Sequence, residues 1–217
     1  MRYQFYREHK FVSSALNDLE REIAKADFRK DEEFKHLLNS FQNLSNMLKG
    51  HAEYENEHLH ALLKKKKSPL YKHVEEDHAH QEEQLLYIQT LFDTLAHAPS
   101  EEKVSLGYQL YLTYRKFVAD NLSHLHEEET QILPELQRLY SDEELSLVEA
   151  PNYQVMTPGD MVDMVTVLFS HMNSSDRLAI LTDMHHLQPE KLALAWERIA
   201  SILPQEERGF IEEKLLV

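Results

Sequence analysis

Four long stretches of this chain carry apolar residues at alternating steps of three and four, and no other feature limits its fold so tightly. That spacing lays the apolar positions along one stripe of an α-helix. The first stretch, Tyr3–Ala26, reads Phe5, His9, Val12, Leu16, Leu19 and Ile23 along its stripe. The second, Asp31–Leu63, reads Leu37, Phe41, Leu44, Leu48, His51, Glu55, Leu59 and Leu62. The third, Pro69–Ala96, reads Val74, His78, Gln81, Leu85, Ile88, Phe92 and Leu95. The fourth, Glu101–Tyr140, reads Leu110, Tyr114, Phe117, Asn121, His124, Glu128 and Ile132, and Pro134 is expected to kink or interrupt it near its end. Short breaks separate the four, including the lysine run before Ser68-Pro69 and the tract His97–Glu102. Four amphipathic helices with short connections predict an all-α fold, an antiparallel up-down-up-down four-helix bundle.

After about Glu149 the pattern changes. Ala150–Gln154 reads as a linker, and shorter helices follow, with starts at Thr157-Pro158-Gly159-Asp160, Ser174-Ser175-Asp176, Gln188-Pro189-Glu190 and Pro204-Gln205-Glu206-Glu207. Each start places Pro or acidic residues in a first turn. The expected organisation is a bundle over residues 1–145 and a C-terminal helical extension over 155–217. The extension either packs on the bundle or offers a homo-oligomer contact.

Composition removes several classes of function. The formal net charge of -15 argues against nucleic acid as a partner and against an anionic membrane surface. The chain has no cysteine, which removes disulfides, zinc–thiolate sites, iron–sulfur clusters and cysteine nucleophiles. No apolar run approaches a membrane span, and the opening MRYQFYREHK does not read as a signal peptide, so a cytoplasmic location is expected.

Fourteen histidines are the unusual feature, and histidine is the commonest nitrogen ligand for transition metals. All four stripes are interrupted by ligand-type residues: His9, His51 with Glu55, His78, and His124 with Glu128. A spacing of four brings both members of a pair to one helix face. The spacing alone is weak, because His78/Glu82, His97/Glu101 and His186/Glu190 match it too. Only His51/Glu55 and His124/Glu128 put both members on an apolar stripe. Counted along antiparallel helices at about 1.5 Å per residue, the six residues also fall at one depth. Burying two carboxylates and four imidazoles without a cation would cost several kcal/mol or more, on the order of the penalty for unpaired buried charge. Four nitrogens and two carboxylates suit two iron ions, or less readily manganese, better than four-coordinate zinc. The Glu-x-x-His pattern of ferritin-like sites occurs at Glu33/His36, Glu55/His58, Glu57/His60 and Glu75/His78, but only on the second and third helices. His36, His58, His60, His73, His80 and His126 lie off or beside the stripes and are expected to face solvent or to support ligands rather than to ligate.

At these residues the chain resembles the haemerythrin-like, HHE cation-binding family. The matching stretches are Arg7-Glu8-His9, His51-Ala52-Glu53-Tyr54-Glu55, Asp77-His78, and the run from His124 through Glu128 and Glu129 to Leu133-Pro134. The resemblance covers about residues 1–140. It implies an oxo- or hydroxo-bridged di-iron site held by His9, His51, Glu55, His78, His124 and Glu128, with a small diatomic ligand, dioxygen or nitric oxide. Oxygen-carrying members use a His-x-x-x-His pair on the third helix and an Asp five residues after the fourth-helix His. Here Val74 and Glu82 stand four residues either side of His78, and Glu129 holds the Asp position. The four-His, two-Glu set is more similar to the bacterial iron–sulfur-repair and eukaryotic iron-sensing branches. The repair branch often carries a cysteine-containing N-terminal segment, which is not seen here. The segment after the linker does not resemble the further domain of an iron-sensing adaptor.

Three functions follow as alternatives. The first is a protein that binds or senses dioxygen, nitric oxide or iron and redox status. The second is a di-iron enzyme acting on peroxide or nitric oxide, or an iron–sulfur-cluster repair protein. The third is a metal-free helical interaction protein.

Overall fold

The structure is a computed structural model that describes residues 2–215. All regular structure among these residues is helical, so the all-α expectation holds. The chain divides into two compact units. One is Val12–Leu136; the other joins the residues up to Phe11 with those from Gln137 onward.

The first helix, α1, is His9–Lys25 and does not begin at Tyr3 as the stripe suggests. Tyr6 adopts a φ of 67°, in the left-handed region, and a helix cannot run through that backbone. The chain becomes helical just beyond it, where the His9 N–H donates to the Tyr6 carbonyl at 3.2 Å. The second helix, α2, is Asp31–Tyr54, with Asp31, Glu32 and Glu33 complementing the dipole of its first turn. It continues through a π-helical turn, Glu55–His60, into α3, Ala61–Lys65. Lys67, at φ 55°, then ends the run. Next come α4, Leu70–His97, and α5, Ser100–Glu127. α5 passes through a second π-helical turn, Glu128–Ile132, into α6, Leu133–Leu139. The disturbance expected at Pro134 takes this form: the wider turn ends two residues before the proline, which has no N–H to donate.

The core of the Val12–Leu136 unit draws on all four helical runs. Val12, Leu16 and Ile23 from α1 meet Leu37 and Phe41 from α2, Ile88 and Phe92 from α4, and Leu110, Tyr114 and Phe117 from α5. Phe41 and Phe92 stack with centroids 5.0 Å apart. The buried Tyr114 hydroxyl donates to the Leu16 carbonyl at 3.1 Å, which satisfies its polar end. Gly107 lets Phe28 lie against α5, since a Cβ there would come within 2.3 Å of the ring.

The other unit contains α7, Asp142–Ser146; α8, Ala150–Val155; α9, Pro158–Leu168; α10, Ser174–Leu187; α11, Pro189–Ile202; and α12, Gln205–Leu215. The four expected helix starts are all found. Capping boxes at Thr157/Asp160 and Asn173/Asp176 fix two of them. Ala150–Gln154, expected as a linker, is helical instead: Pro151 sits in the first turn, and Tyr153 is buried in the core of this unit. Arg177 holds Glu207 and also donates to the Phe169 and Met172 carbonyls. The N-terminal segment belongs to this unit through specific bonds. Arg2 Nε donates to Asp142 at 2.7 Å, Gln137 Nε2 to the Tyr3 carbonyl at 2.8 Å, and the Tyr3 hydroxyl to Asp183 at 3.2 Å. Among the described residues, no helix is long and apolar enough to cross a membrane.

Candidate metal centre

Five of the six expected ligands, His51, Glu55, His78, His124 and Glu128, lie in the Val12–Leu136 unit. Glu55 and Glu128 are fully buried, at 0% exposure, which is rare for carboxylates. Glu55 faces two imidazoles with its two oxygens: Oε1 lies 3.2 Å from His51 Nε2, and Oε2 lies 3.5 Å from His78 Nε2. Glu128 Oε1 lies 3.3 Å from His124 Nε2 and 3.9 Å from His78 Nε2. His78 Nε2 and His124 Nε2 are 3.0 Å apart. The donor atoms of Glu55, His78, His124 and Glu128 all lie within 4.8 Å of one another.

The far ring nitrogens are held as well. His124 Nδ1 lies 3.4 Å from Asp77 Oδ2, and His78 Nδ1 lies 3.0 Å from Asn56 Oδ1. Each acceptor favours a proton on Nδ1 and so leaves Nε2 to present a lone pair inward. Burial works to lower the His124 pKa, but the carboxylates of Glu128, Glu55 and Asp77 outweigh it and raise the pKa. Burial and the Glu55 carboxylate push the Glu128 pKa up, and the His124 and His60 imidazoles more than reverse them. Glu128 is thereby held as a carboxylate. Asp77 also takes part in an outer cluster with His73 and Glu127, where His73 Nε2 lies 2.7 Å from Glu127.

His9 belongs to the other unit, as the first residue of α1. It is 2% exposed and packs on Tyr6, with ring centroids 4.7 Å apart. Its stripe neighbours Val12, Leu16, Leu19 and Ile23 on the same helix are all buried.

The stripe spacing puts His60 off the apolar face, exposed or supporting a ligand, and the structure buries it beside Glu128. It is 0% exposed, with Nε2 3.4 Å from Glu128 Oε1. The π-helical turn explains the difference. In an α-helix, residues five apart are rotated by about 140°, so His60 falls off the stripe of Glu55. A π turn bonds residue i to i+5 and brings them to one face. The same extra residue moves the buried position downstream from the expected Leu62 to Leu63, which is 0% exposed. His36, His73, His80 and His126 are exposed, as expected. Glu57 and Glu75, from the Glu-x-x-His pattern, are exposed too, so that pattern assembles no site.

A cleft of about 440 Å³ reaches this constellation, with Leu48, Ala52, Asn56, His78, Leu85 and Phe117 among its lining residues. The buried donor set fits a transition metal. Oxygen and imidazole nitrogen are the donors such ions take, and a cation offsets two carboxylates removed from water.

A model of the hemerythrin HHE cation binding domain matches residues 1–136. No curated protein and no solved structure matches the chain.

Proposed function

The chain belongs to the haemerythrin HHE cation-binding family, and from that premise we propose a non-haem di-iron protein that binds or senses dioxygen, nitric oxide or iron and redox status. The proposed frame is an antiparallel up-down-up-down four-helix bundle. The proposed ligands are His9, His51, Glu55, His78, His124 and Glu128, with an oxide or hydroxide bridge. One observation carries the reading: the two oxygens of the buried Glu55 face different imidazoles, His51 on one side and His78 on the other. A carboxylate so placed has donors for two ions rather than one. His9 completes the set by continuity, since the buried stripe of α1 runs unbroken from it to Ile23.

An iron pair supplies reversible redox chemistry at a site where a diatomic molecule can bind. The protein's own part is to orient and to restrict. Asp77 and Asn56 fix the rings of His124 and His78. Leu48, Leu85 and Phe117 line the cleft together with the charged Lys49, Glu53, Glu75 and Glu82.

Metal analysis with a visible spectrum on freshly purified protein tests this reading. Two irons per chain and an oxo-bridge absorption band are expected. A metal-free preparation that cannot be reconstituted would sink it. Sustained turnover of peroxide or nitric oxide, in place of reversible ligand binding, would move the assignment to an enzyme.

A further inference from the structure

We propose that His73, Asp77 and Glu127 form an outer site for a single divalent transition-metal ion, and that the buried donors are loaded from it. The outer site stands however many ions the buried centre holds; its use in loading rests on the metal reading above.

His73 and Asp77 stand four residues apart on α4 and so share a face. Glu127 is the last residue of α5. His73 Nε2 lies 2.7 Å from Glu127 Oε2 and 3.5 Å from Asp77 Oδ2. One donor atom from each of the three lies within 4.8 Å of the others. Donors about 2.1 Å from one ion sit about 3.0 Å apart at octahedral corners and about 3.4 Å apart at tetrahedral ones. The observed separations bracket those spacings. An imidazole with two carboxylates suits first-row divalent ions such as iron(II), manganese(II) and zinc(II). All three side chains are part-exposed, which leaves the remaining positions on the ion to water.

A plain ion pair accounts for less of this arrangement. One imidazole balances at most one carboxylate, so the trio keeps at least one negative charge. Asp77 Oδ2 also lies 3.4 Å from His124 Nδ1, so one oxygen stands between the outer imidazole and a proposed inner ligand. Both helices repeat a single design. Asp77 is part-exposed beside the buried His78, and Glu127 is part-exposed beside the buried Glu128. One step along either chain segment therefore separates an outer donor from an inner one.

A cleft of about 220 Å³ joins the two levels. Asp77, His80, Asp120 and Glu127 line it together with Lys116, which is paired with Asp120, and His124 lies among them. A cation leaving the outer site meets His124 next.

Manganese(II) is the probe, added to freshly purified, iron-loaded protein in about 0.15 M salt, which screens the diffuse pull of the acidic surface. Electron paramagnetic resonance counts the bound manganese, and its pulsed form reads coupling to a ligating nitrogen. Wild type and His126→Ala, which removes an exposed histidine of α5, are expected to bind this ion with nitrogen coupling. His73→Ala and the isosteric Glu127→Gln are each expected to weaken it at least about 10-fold, the lower end of what losing a metal-site partner costs, with iron content unchanged. Wild-type affinity in either variant, or a signal without nitrogen coupling, would overturn the outer site. Loading is read by the growth of visible absorption as cobalt(II) enters metal-free protein. His73→Ala is expected to rise more slowly to the same end point, and an unchanged rate would overturn the loading role. The manganese counted is the ion that His73→Ala loses. An iron content other than two per chain, with that manganese intact, would therefore overturn the di-iron reading and uphold the outer site.

Discussion

Glu128 and Glu129 are adjacent in sequence, yet the helix turns them about 100° apart. Glu128 is wholly buried among imidazoles, and Glu129 is exposed. Glu128→Ala is therefore expected to abolish binding of at least one ion, while Glu129→Ala keeps both, as read by metal content after dialysis. Equal losses would show that the fourth-run ligand has been misplaced. This distinction was legible in the sequence, because Glu128 shares an apolar stripe with His124 and Ile132 and Glu129 does not. The placing of Asn56 was not legible. It is an exposed residue between two carboxylates in sequence, and only the folded turn shows its carbonyl accepting from two rings. Asp77 gave a partial signal, standing beside His78 while serving His124 on another helix.

At the scale of elements, stripe periodicity located every long helix, and Pro with acidic first turns located the helices from Pro158 onward. What periodicity cannot register is a helix that changes its own period. Each π-helical turn adds one residue to a cycle, and both such turns begin at a proposed carboxylate ligand, Glu55 and Glu128. An α-helical ruler therefore loses count where the ligands lie. A deletion experiment follows from this. Removing the exposed Glu57 converts the Glu55–His60 turn to α-helical spacing and keeps both residues on one face. Removing the exposed Gly50, in regular α2, rotates everything after it by about 100°. Deleting Glu57 is expected to retain both ions and a cooperative melt, and deleting Gly50 to lose both. Equal damage from the two deletions would show that the wide turn does not absorb a residue. The start of α1 was illegible for a different reason. Phe5 continues the apolar stripe, but Tyr6 turns the backbone out of helical space, and no composition rule forbids a helix through Tyr3–Tyr6.

For the molecule as a whole, the buried carboxylates tie stability to metal. An ion present at a hundred times its dissociation constant adds about 2.7 kcal/mol. Chelation of the loaded protein is expected to lower its melting temperature, measured by circular dichroism, and readdition of iron to restore it. An unchanged melt after complete metal removal would separate the site from folding. The net charge of -15 works in the same direction, since it opposes compaction until cations offset part of it.

The membership of the N-terminal segment has a consequence in time. Residues up to Phe11, His9 among them, form one unit with those from Gln137 onward, while Val12–Leu136 lies between them along the chain. During synthesis, Tyr3 leaves the ribosome well before Gln137, Asp142 and Asp183, the partners it then waits for. The intervening helices can already be folding, because chains acquire structure domain by domain from the N-terminus. His9 is thus the earliest proposed ligand to be made, and it belongs to the unit whose residues are completed last.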